Sequence, residues 1–134
     1  MFSLKIISPK GNIFIGEVNL VNVPTTNGVI GIMSLHESLI TSVKLGIIEI
    51  TSNNKKLNII CNGGVLKTQN NILEIFVAEG VISSELLLEQ IKLAEQKATI
   101  DIQKSDIPTS TLIRLEKQLK YERFKREYIE RSGM

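Results

Sequence analysis

The sequence predicts an α+β protein in which an N-terminal antiparallel β-sandwich or barrel is followed by a C-terminal hairpin of two antiparallel helices. Up to residue 82, short runs rich in Ile, Val and Leu alternate with Gly, Pro and Asn turns about every 8 to 12 residues, as in antiparallel sheets. Beyond this point the apolar residues recur at helical spacing, and a polar break before Pro108 divides the helical part. We therefore expect a β-domain over residues 1–82 and a helical hairpin over residues 83–134.

The composition fits one small domain with an appendage. The chain has 134 residues, of which 43% are hydrophobic, so a sizeable core is available. Aromatic residues make up only 4%, and Trp is absent, so we expect a core of Ile, Leu and Val. The net charge of +2 is too small to indicate a nucleic-acid partner by itself.

The counts of cysteine and histidine exclude several classes of site. One cysteine, Cys61, rules out an internal disulfide framework and a cysteine-based zinc site. One histidine, His36, rules out most histidine metal sites. Cys61 ends the apolar run of residues 57–61, which predicts a small buried side chain. We expect no cofactor and no metal.

Strands and turns can be assigned in order along the first 82 residues. The predicted strands are residues 4–8, 13–18, 19–23, 47–51, 56–61, 65–68 and 72–77. The predicted connections are a turn at 9–12, a loop at 24–28, and hairpin turns at 52–55 and 69–71.

The stretch from Asn27 to Ile50 organises the β-domain. Gly28 and Gly31 bracket a Val-Ile pair, the pattern turns polar at residues 36–38, and residues 44–46 are expected to form a second turn. Asn62-Gly63-Gly64 interrupts the next strand, and we interpret it as a bulge or a close strand crossing. It is not a phosphate-binding loop, because neither Lys-Ser/Thr nor a helix follows it.

Two helices are expected after this domain. Ser83 or Ser84 suits the N-cap of the first, with Glu85 in its first turn, and its apolar face over residues 85–102 comprises Leu87, Ile91, Ala94 and Ala98. Pro108 suits the first turn of the second helix, which should run to about Glu130. Its apolar residues form two offset stripes: Leu112, Leu115 and Leu119, and then Ile113, Tyr121, Phe124 and Tyr128. The stripes indicate either two different packing partners or one broad face.

The second helix is also basic. Its cations are Arg114, Lys117, Lys120, Arg123, Lys125, Arg126 and Arg131, and its carboxylates are Glu116, Glu122, Glu127 and Glu130. Such a face is often only solvated. Two functional interpretations compete: nucleic acid bound with the help of the interleaved aromatics, or an acidic protein surface. The glutamates weaken the first because they repel phosphate. The alternative function is thus a β-domain adaptor whose basic helical tail binds nucleic acid.

His36-Glu37-Ser38 does not form a catalytic triad. A catalytic serine needs a base held by a third group, and adjacent residues on a strand or corner point apart. We expect His36 to be an exposed loop residue or a contact to another protein, and we predict no catalytic residues.

The sequence predicts no membrane-spanning helix. It has no run of about 18 apolar residues, and its N-terminus lacks the basic and apolar leader of a secretory signal. We therefore expect any membrane association to come through a partner.

The order and spacing of these features resemble the ε subunit of F-type ATP synthases over essentially the whole chain. The segments that carry the resemblance are residues 4–8, 28–32, His36, 45–50, 62–66 and 77–79, followed by the two helices. One departure is Met33-Ser34-Leu35, which replaces the polar segment with glycine or proline that is common before the histidine.

The resemblance implies a non-catalytic subunit of the central stalk, or rotor. In this family the β-sandwich binds the γ subunit and sits on the ring of membrane-embedded c subunits, which couples proton-driven rotation to ATP synthesis. The chain would then be a peripheral membrane protein, on the cytoplasmic face of a bacterial inner membrane or the stromal face of a plastid thylakoid. Carried over from the family, the c-ring contacts would be Asn27, Gly28, Val29, His36, Glu37 and Ser38.

The resemblance also implies a regulatory role for the hairpin. In bacterial and chloroplast members it inhibits ATP hydrolysis by extending along γ into the α/β catalytic head, where its second helix meets an acidic segment of β. The positions carried over for this contact are Arg114, Lys117, Lys120, Arg123, Lys125 and Arg126.

Binding of ATP to the hairpin is not expected. Some bacterial members bind ATP through a first-helix motif, Ile/Leu-Asp-x-x-Arg-Ala. The corresponding residues here are 86–91, in which Leu87, Gln90 and Ile91 replace Asp, Arg and Ala. The arginine that would hold phosphate is missing.

Overall fold

A computed structural model describes residues 1–85, 88–103 and 108–131, and the chain divides into two compact units, residues 1–84 and 85–134. In the described part, the first unit contains eight strands: β1 Phe2–Ser8, β2 Gly11–Val18, β3 Leu20–Thr25, β4 Gly28–Ile32, β5 Leu39–Ser52, β6 Lys55–Gln69, β7 Ile72–Val77 and β8 Gly80–Ile82. A 3₁₀ turn follows at Ser83–Glu85. The second unit contains α1, Leu88–Gln103, and α2, Thr109–Arg131.

The eight strands form a β-sandwich from one continuous sheet. Seven follow the order β2-β1-β7-β6-β5-β3-β4, and β8 pairs with β6. All neighbours are antiparallel except β1 and β7, which are parallel. The predicted antiparallel sandwich is thus confirmed except at this pair, where β1 runs parallel to β7. The short strand β8 was not predicted.

The core of this unit is aliphatic, as predicted. Sixteen buried residues of the described chain form one cluster, among them Leu4, Ile6, Ile48 and Ile75, which are fully inaccessible to solvent. Alternate residues of β1 and β7 face it, which accounts for their period of two. Cys61 belongs to this core, and its Sγ lies 3.7 Å from the carbonyl oxygen of Lys44. Burial raises the pKa of the Cys61 thiol.

The predicted asparagine hairpins are confirmed. Asn53 and Asn54 have φ of 50° and 65°, and Asn70 and Asn71 have φ of 53° and 62°. Two consecutive residues with positive φ make the two-residue turn whose twist matches that of the flanking strands. Asparagine tolerates this conformation better than other side chains do. These turns fix the register of β5 on β6 and of β6 on β7.

Two glycine segments predicted to interrupt strands lie within them instead. The turn expected at residues 44–46 is wrong, because β5 continues through it. A Cβ at Gly46 would lie 2.9 Å from Pro24 Cγ, so this glycine permits close packing of β3 on β5. Likewise β6 continues through Gly63 and Gly64, and a Cβ at Gly64 would overlap the carbonyl oxygen of Phe76. The interpretation of this pair as a close strand crossing is therefore correct. Pro24, expected in a loop, lies in β3.

The second helix begins at Thr109, so Pro108, expected in its first turn, lies just before it. The carbonyl oxygen of Pro108 accepts a hydrogen bond from the amide of Leu112 at 2.9 Å, so Pro108 immediately precedes α2. Leu87, expected on the apolar face of the first helix, lies outside the described residues. Ile91, Ala98 and Tyr121 are buried as expected. Ile113 is 49% exposed, so the second stripe is not uniformly covered.

Candidate functional site

The turn between β3 and β4 presents the first group of expected contact residues. The hydroxyl of Thr25 donates to the carbonyl oxygen of Gly28 at 2.5 Å and accepts from the amide of Asn27 at 3.2 Å. Gly28 has φ of 101°, a conformation that favours glycine. The buried Thr25 thus fixes the turn, and Val29 next to it is 71% exposed.

The segment between β4 and β5, residues 33–38, presents the second group. It is held at Leu35, whose amide donates to Asn71 Oδ1 at 2.9 Å, and Asn71 Nδ2 donates in turn to the carbonyl oxygen of Met1 at 3.2 Å. Leu35 has φ of 62° and is 86% exposed, and Met33 is 62% exposed. The role of Asn71 in holding this loop was not predicted from the sequence, because an asparagine in a hairpin turn is already explained by its backbone conformation.

His36, Glu37 and Ser38 lie in this loop without forming a catalytic group. His36 Nδ1 lies 2.7 Å from the carbonyl oxygen of Glu37, which can only accept, so Nδ1 is the donor. His36 is half-buried rather than exposed as expected, because its ring folds back onto its own backbone, whereas Glu37 and Ser38 are exposed.

Both loops lie towards the same end of β5. Thr25, just before the first turn, pairs with Val43, and the second loop leads directly into Leu39. Leu39 and Val43 are four positions apart, which is about 13 Å along the strand. One partner surface could therefore contact both loops.

A second exposed surface covers the outer face of the sheet and was not anticipated. Val65 of β6 pairs with Phe76 of β7, and both point outwards beside Ile7 of β1, which pairs with Phe76. The exposed apolar residues of this outer sheet face, between 42% and 69% exposed, are Ile15, Ile40, Val65, Ile72 and Phe76. In the sequence this surface is indicated by consecutive apolar residues, such as Val65-Leu66 and Ile72-Leu73. Because neighbouring residues of a strand face opposite sides of the sheet, one residue of each pair lies on the outer face.

The six basic residues expected to contact the catalytic head fall into two groups. Arg114, Lys117 and Lys120 are exposed at spacings of three and form no ion pair with any described residue. Lys125 pairs within α2, with its Nζ 3.0 Å from Glu122 Oε2 and 4.4 Å from the ring centre of Tyr121. Arg123 and Arg126 pair with α1.

Glu95 of α1 holds both of these arginines. Arg123 Nε lies 3.3 Å from Glu95 Oε1, and Arg126 Nε lies 3.0 Å from Glu95 Oε2. Beside this cluster is an open groove of about 460 Å³ lined by Lys92, Glu95, Gln96, Thr99, Ile100 and Arg126. Sequence reasoning could not find Glu95, because glutamates are frequent on solvated helix faces.

Two kinds of site have no candidate among the described residues. No three side chains of the His, Cys, Asp and Glu types in residues 1–85, 88–103 and 108–131 are grouped to hold a metal ion. Neither helix, over the same ranges, has an apolar stretch that would cross a bilayer.

Comparisons with known proteins point to one family. Residues 1–83 match the β-sandwich domain of the ATP synthase delta/epsilon chain. An ATP synthase epsilon chain of Desulfitobacterium hafniense is 32% identical over 97 residues, which are 72% of this chain and 74% of that protein. That of Endomicrobium trichonymphae is 38% identical over 95 residues, 69% and 67% of the two chains. That of Leptospira borgpetersenii is 29% identical over 115 residues, 86% and 87%.

Solved structures share the fold. A chain of the Euglena gracilis mitochondrial ATP synthase, in a structure of OSCP, F1 and the c-ring, superposes with a TM-score of 0.70. It is 22% identical, and the match covers 98% of this chain and 80% of that one. A chain of the Tetrahymena thermophila central stalk and c-ring gives a TM-score of 0.57 at 10% identity. The β-sandwich of residues 1–83 thus agrees with the family match. The chain belongs to the ATP synthase delta/epsilon family as an ε subunit, a non-catalytic chain of the F-type ATP synthase.

Proposed function

We propose that this ε subunit is a rotor component that couples rotation of the c-ring to ATP synthesis. The observation that carries the proposal is a set of exposed apolar side chains: Val29 at the start of β4, and Met33 and Leu35 in the loop 33–38. Hydrogen bonds within the β-domain fix both the turn before Val29 and this loop. Exposed apolar residues held at one end of a stable scaffold are typical of protein-binding surfaces. The similar chains of Euglena and Tetrahymena come from assemblies that include a c-ring.

The two loops are the proposed contact with the c-ring. Asn27, Gly28 and Val29 offer a rigid turn with an apolar tip, and Glu37 and Ser38 add exposed polar groups. His36 orders the backbone between Leu35 and Glu37 and presents part of its ring. An apolar centre with a polar rim is the usual anatomy of a protein interface.

The outer sheet face is the proposed contact with the γ subunit. Val65, Phe76 and Ile72 lie side by side on adjacent strands, and Lys67 and Glu74 are interleaved with them. Antiparallel sheets commonly leave one face polar and solvated, so a mixed apolar face indicates a partner. A subunit held by both surfaces would transmit torque between γ and the ring.

The helical hairpin is the proposed inhibitor of ATP hydrolysis, acting transiently on the α/β head. Arg114, Lys117 and Lys120 present positive charge that no described carboxylate pairs with, and this charge complements an acidic surface of the β subunit. The pairing of Arg123, Lys125 and Arg126 with carboxylates lowers the charge available to phosphate. This favours a protein partner over a nucleic acid.

The hairpin is not a nucleotide site under this proposal. Gln90 replaces the expected arginine and is exposed, and Ile91 is buried in place of alanine. Arg126, which borders the groove between the helices, is already paired with Glu95. Leu87, which replaces the aspartate of the motif, lies outside the described residues.

The proposed location follows from the partners. The chain would be a peripheral protein that reaches the membrane only through the c-ring, on the cytoplasmic face of a bacterial inner membrane or the stromal face of a thylakoid.

Binding to an isolated rotor tests this function. The full chain should bind a complex of γ and the c-ring from the cognate ATP synthase, and Val29→Asp with Leu35→Asp should weaken binding at least about tenfold, because a charge in an apolar interface must be desolvated. Lys10→Asp, in the turn between β1 and β2, is the matched control. Absence of binding by the unaltered chain would overturn the proposal.

A further inference from the structure

The carboxylate of Glu95 on α1 forms two ion pairs with α2. It lies between Arg123 and Arg126, one turn apart on α2, and each oxygen faces one guanidinium at 3.3 and 3.0 Å. The side chain of Glu95 is 17% exposed, and those of Arg126 and Arg123 are 33% and 54% exposed. The Arg126 pair is therefore better shielded from water and salt than the Arg123 pair.

Two ion pairs of the described residues lie within α2 itself. Lys125 pairs with Glu122 and Arg131 with Glu127, at spacings of three and four residues on the same helix. Glu122 also accepts a hydrogen bond from Gln118 at 2.9 Å. These contacts would persist if α1 and α2 separated. The contacts of Glu95 would be lost, and two arginines would be released together.

We propose that Glu95 competes with the acidic partner of α2 for Arg123 and Arg126. It acts as an electrostatic latch, because it keeps both arginines paired while the two helices are packed together. This deepens the proposed inhibitory role of the hairpin and rests on it. When the helices separate, a carboxylate of the partner binds the arginines in place of Glu95. The same two cations are therefore used when the helices are packed together and when the hairpin is bound to its partner. The difference between these two sets of ion pairs then contributes to the population of the extended state, in addition to the burial of residues such as Ile91 and Tyr121.

The groove next to the latch gives water and salt access to it. Lys92, Gln96 and Thr99 line this groove on α1, and Arg126 closes it from α2. Opening of the latch therefore does not require the buried contacts of Ile91 and Tyr121 to be lost first.

Glu95→Gln in the full chain is the central variant, because it keeps the size of the side chain and removes its charge. Glu127→Gln is the matched control, since the Glu127–Arg131 pair lies within α2 and is exposed. In the isolated chain, amide hydrogen exchange of α1 and α2 should become about threefold to tenfold faster in Glu95→Gln and remain unchanged in Glu127→Gln. Exchange in β1–β8 should not change in either variant, which verifies that the chain is folded.

In the assembled enzyme, Glu95→Gln should inhibit ATP hydrolysis at a concentration about threefold to tenfold lower than the unaltered chain. Equal exchange and equal inhibition for Glu95→Gln and Glu127→Gln would overturn the latch, as would weaker inhibition by Glu95→Gln. If the unaltered chain does not inhibit at all, the inhibitory function fails, and the exchange measurement still decides whether Glu95 holds the helices together.

Discussion

The amide of Leu35 donates a hydrogen bond to Asn71 Oδ1 at 2.9 Å, although the two residues are 36 positions apart. This bond ties the exposed loop 33–38 to the hairpin between β6 and β7, and Asn71 Nδ2 extends the tie to the carbonyl oxygen of Met1. A loop that carries exposed apolar side chains is thereby held in one arrangement before a partner binds. Preorganisation of this kind lowers the entropic cost of association.

Loss of the two side-chain hydrogen bonds of Asn71 should weaken rotor binding without unfolding the β-domain. Asn71→Gly keeps the positive φ of the turn but loses both side-chain hydrogen bonds, each contributing about 1 kcal/mol. We expect the Kd for the γ–c-ring complex to rise about fivefold and the amide of Leu35 to exchange faster. Asn54→Gly is the control, because Asn54 holds the same position in the other asparagine turn, with φ of 65°. Equal effects of the two variants on Kd would show that the hydrogen bonds of Asn71 do not contribute to rotor binding.

The exposed cations of α2 should determine inhibition. Lys117→Glu with Lys120→Glu places negative charge where the proposed acidic surface of the β subunit docks. We expect the concentration for half-inhibition of ATP hydrolysis to rise about tenfold or more, and the effect to shrink at high salt because these side chains are exposed. Arg131→Glu serves as the control, since Arg131 lies at the end of α2 in an exposed pair with Glu127. Unchanged inhibition in the double variant would contradict the role of this face.

Cys61 should behave as an unreactive thiol in the folded chain. It is fully buried in the core, and its burial raises the pKa of the thiol, so little thiolate forms at neutral pH. We expect alkylation by iodoacetamide at pH 8 to be at least about 1000-fold slower than in urea, at a rate set by opening of the β-domain. Alkylation at the rate of a free thiol in native buffer would contradict this burial.

Gly64 should be intolerant of a side chain. Its Cβ would overlap the carbonyl oxygen of Phe76 in the paired strand β7. Gly64→Ala should lower the free energy of unfolding by about 3 kcal/mol and accelerate alkylation of Cys61 by about 100-fold. Gly16→Ala is the control, because the nearest atoms to its Cβ would be those of the Phe14 ring at 3.4 Å, an ordinary contact. A Gly64→Ala chain as stable as the control would show that the strands can move apart.

The parts of the fold that follow local rules were predictable. The asparagine turns at residues 53–54 and 70–71 were found because two-residue hairpin turns demand positive φ. The change from a period of two to a helical period predicted a boundary after residue 82, and the compact units divide after residue 84. The composition predicted the aliphatic core, and the apolar neighbours of Cys61 predicted the burial of its side chain.

The remaining features depend on contacts between distant residues. Gly46 and Gly64 have the appearance of turn residues in sequence, but each permits close approach of a second strand, to Pro24 and to Phe76. No local sequence pattern indicates that β1 pairs with β7 in the parallel direction. The pairing of Arg123 and Arg126 depends on Glu95, which is 28 positions from Arg123. No periodicity in α2 alone distinguishes Arg123 from Lys120.

The most direct test is the ATP hydrolysis rate of the cognate ATP synthase depleted of its ε subunit, measured after addition of the full chain or of residues 1–84. Residues 1–84 form a compact unit with their own core, so this shorter chain retains the proposed rotor contacts. We predict that both chains bind the depleted enzyme and that only the full chain lowers its hydrolysis rate. Binding without suppression by either chain would contradict the inhibitory role of the hairpin, and failure of both chains to bind would contradict the rotor function itself.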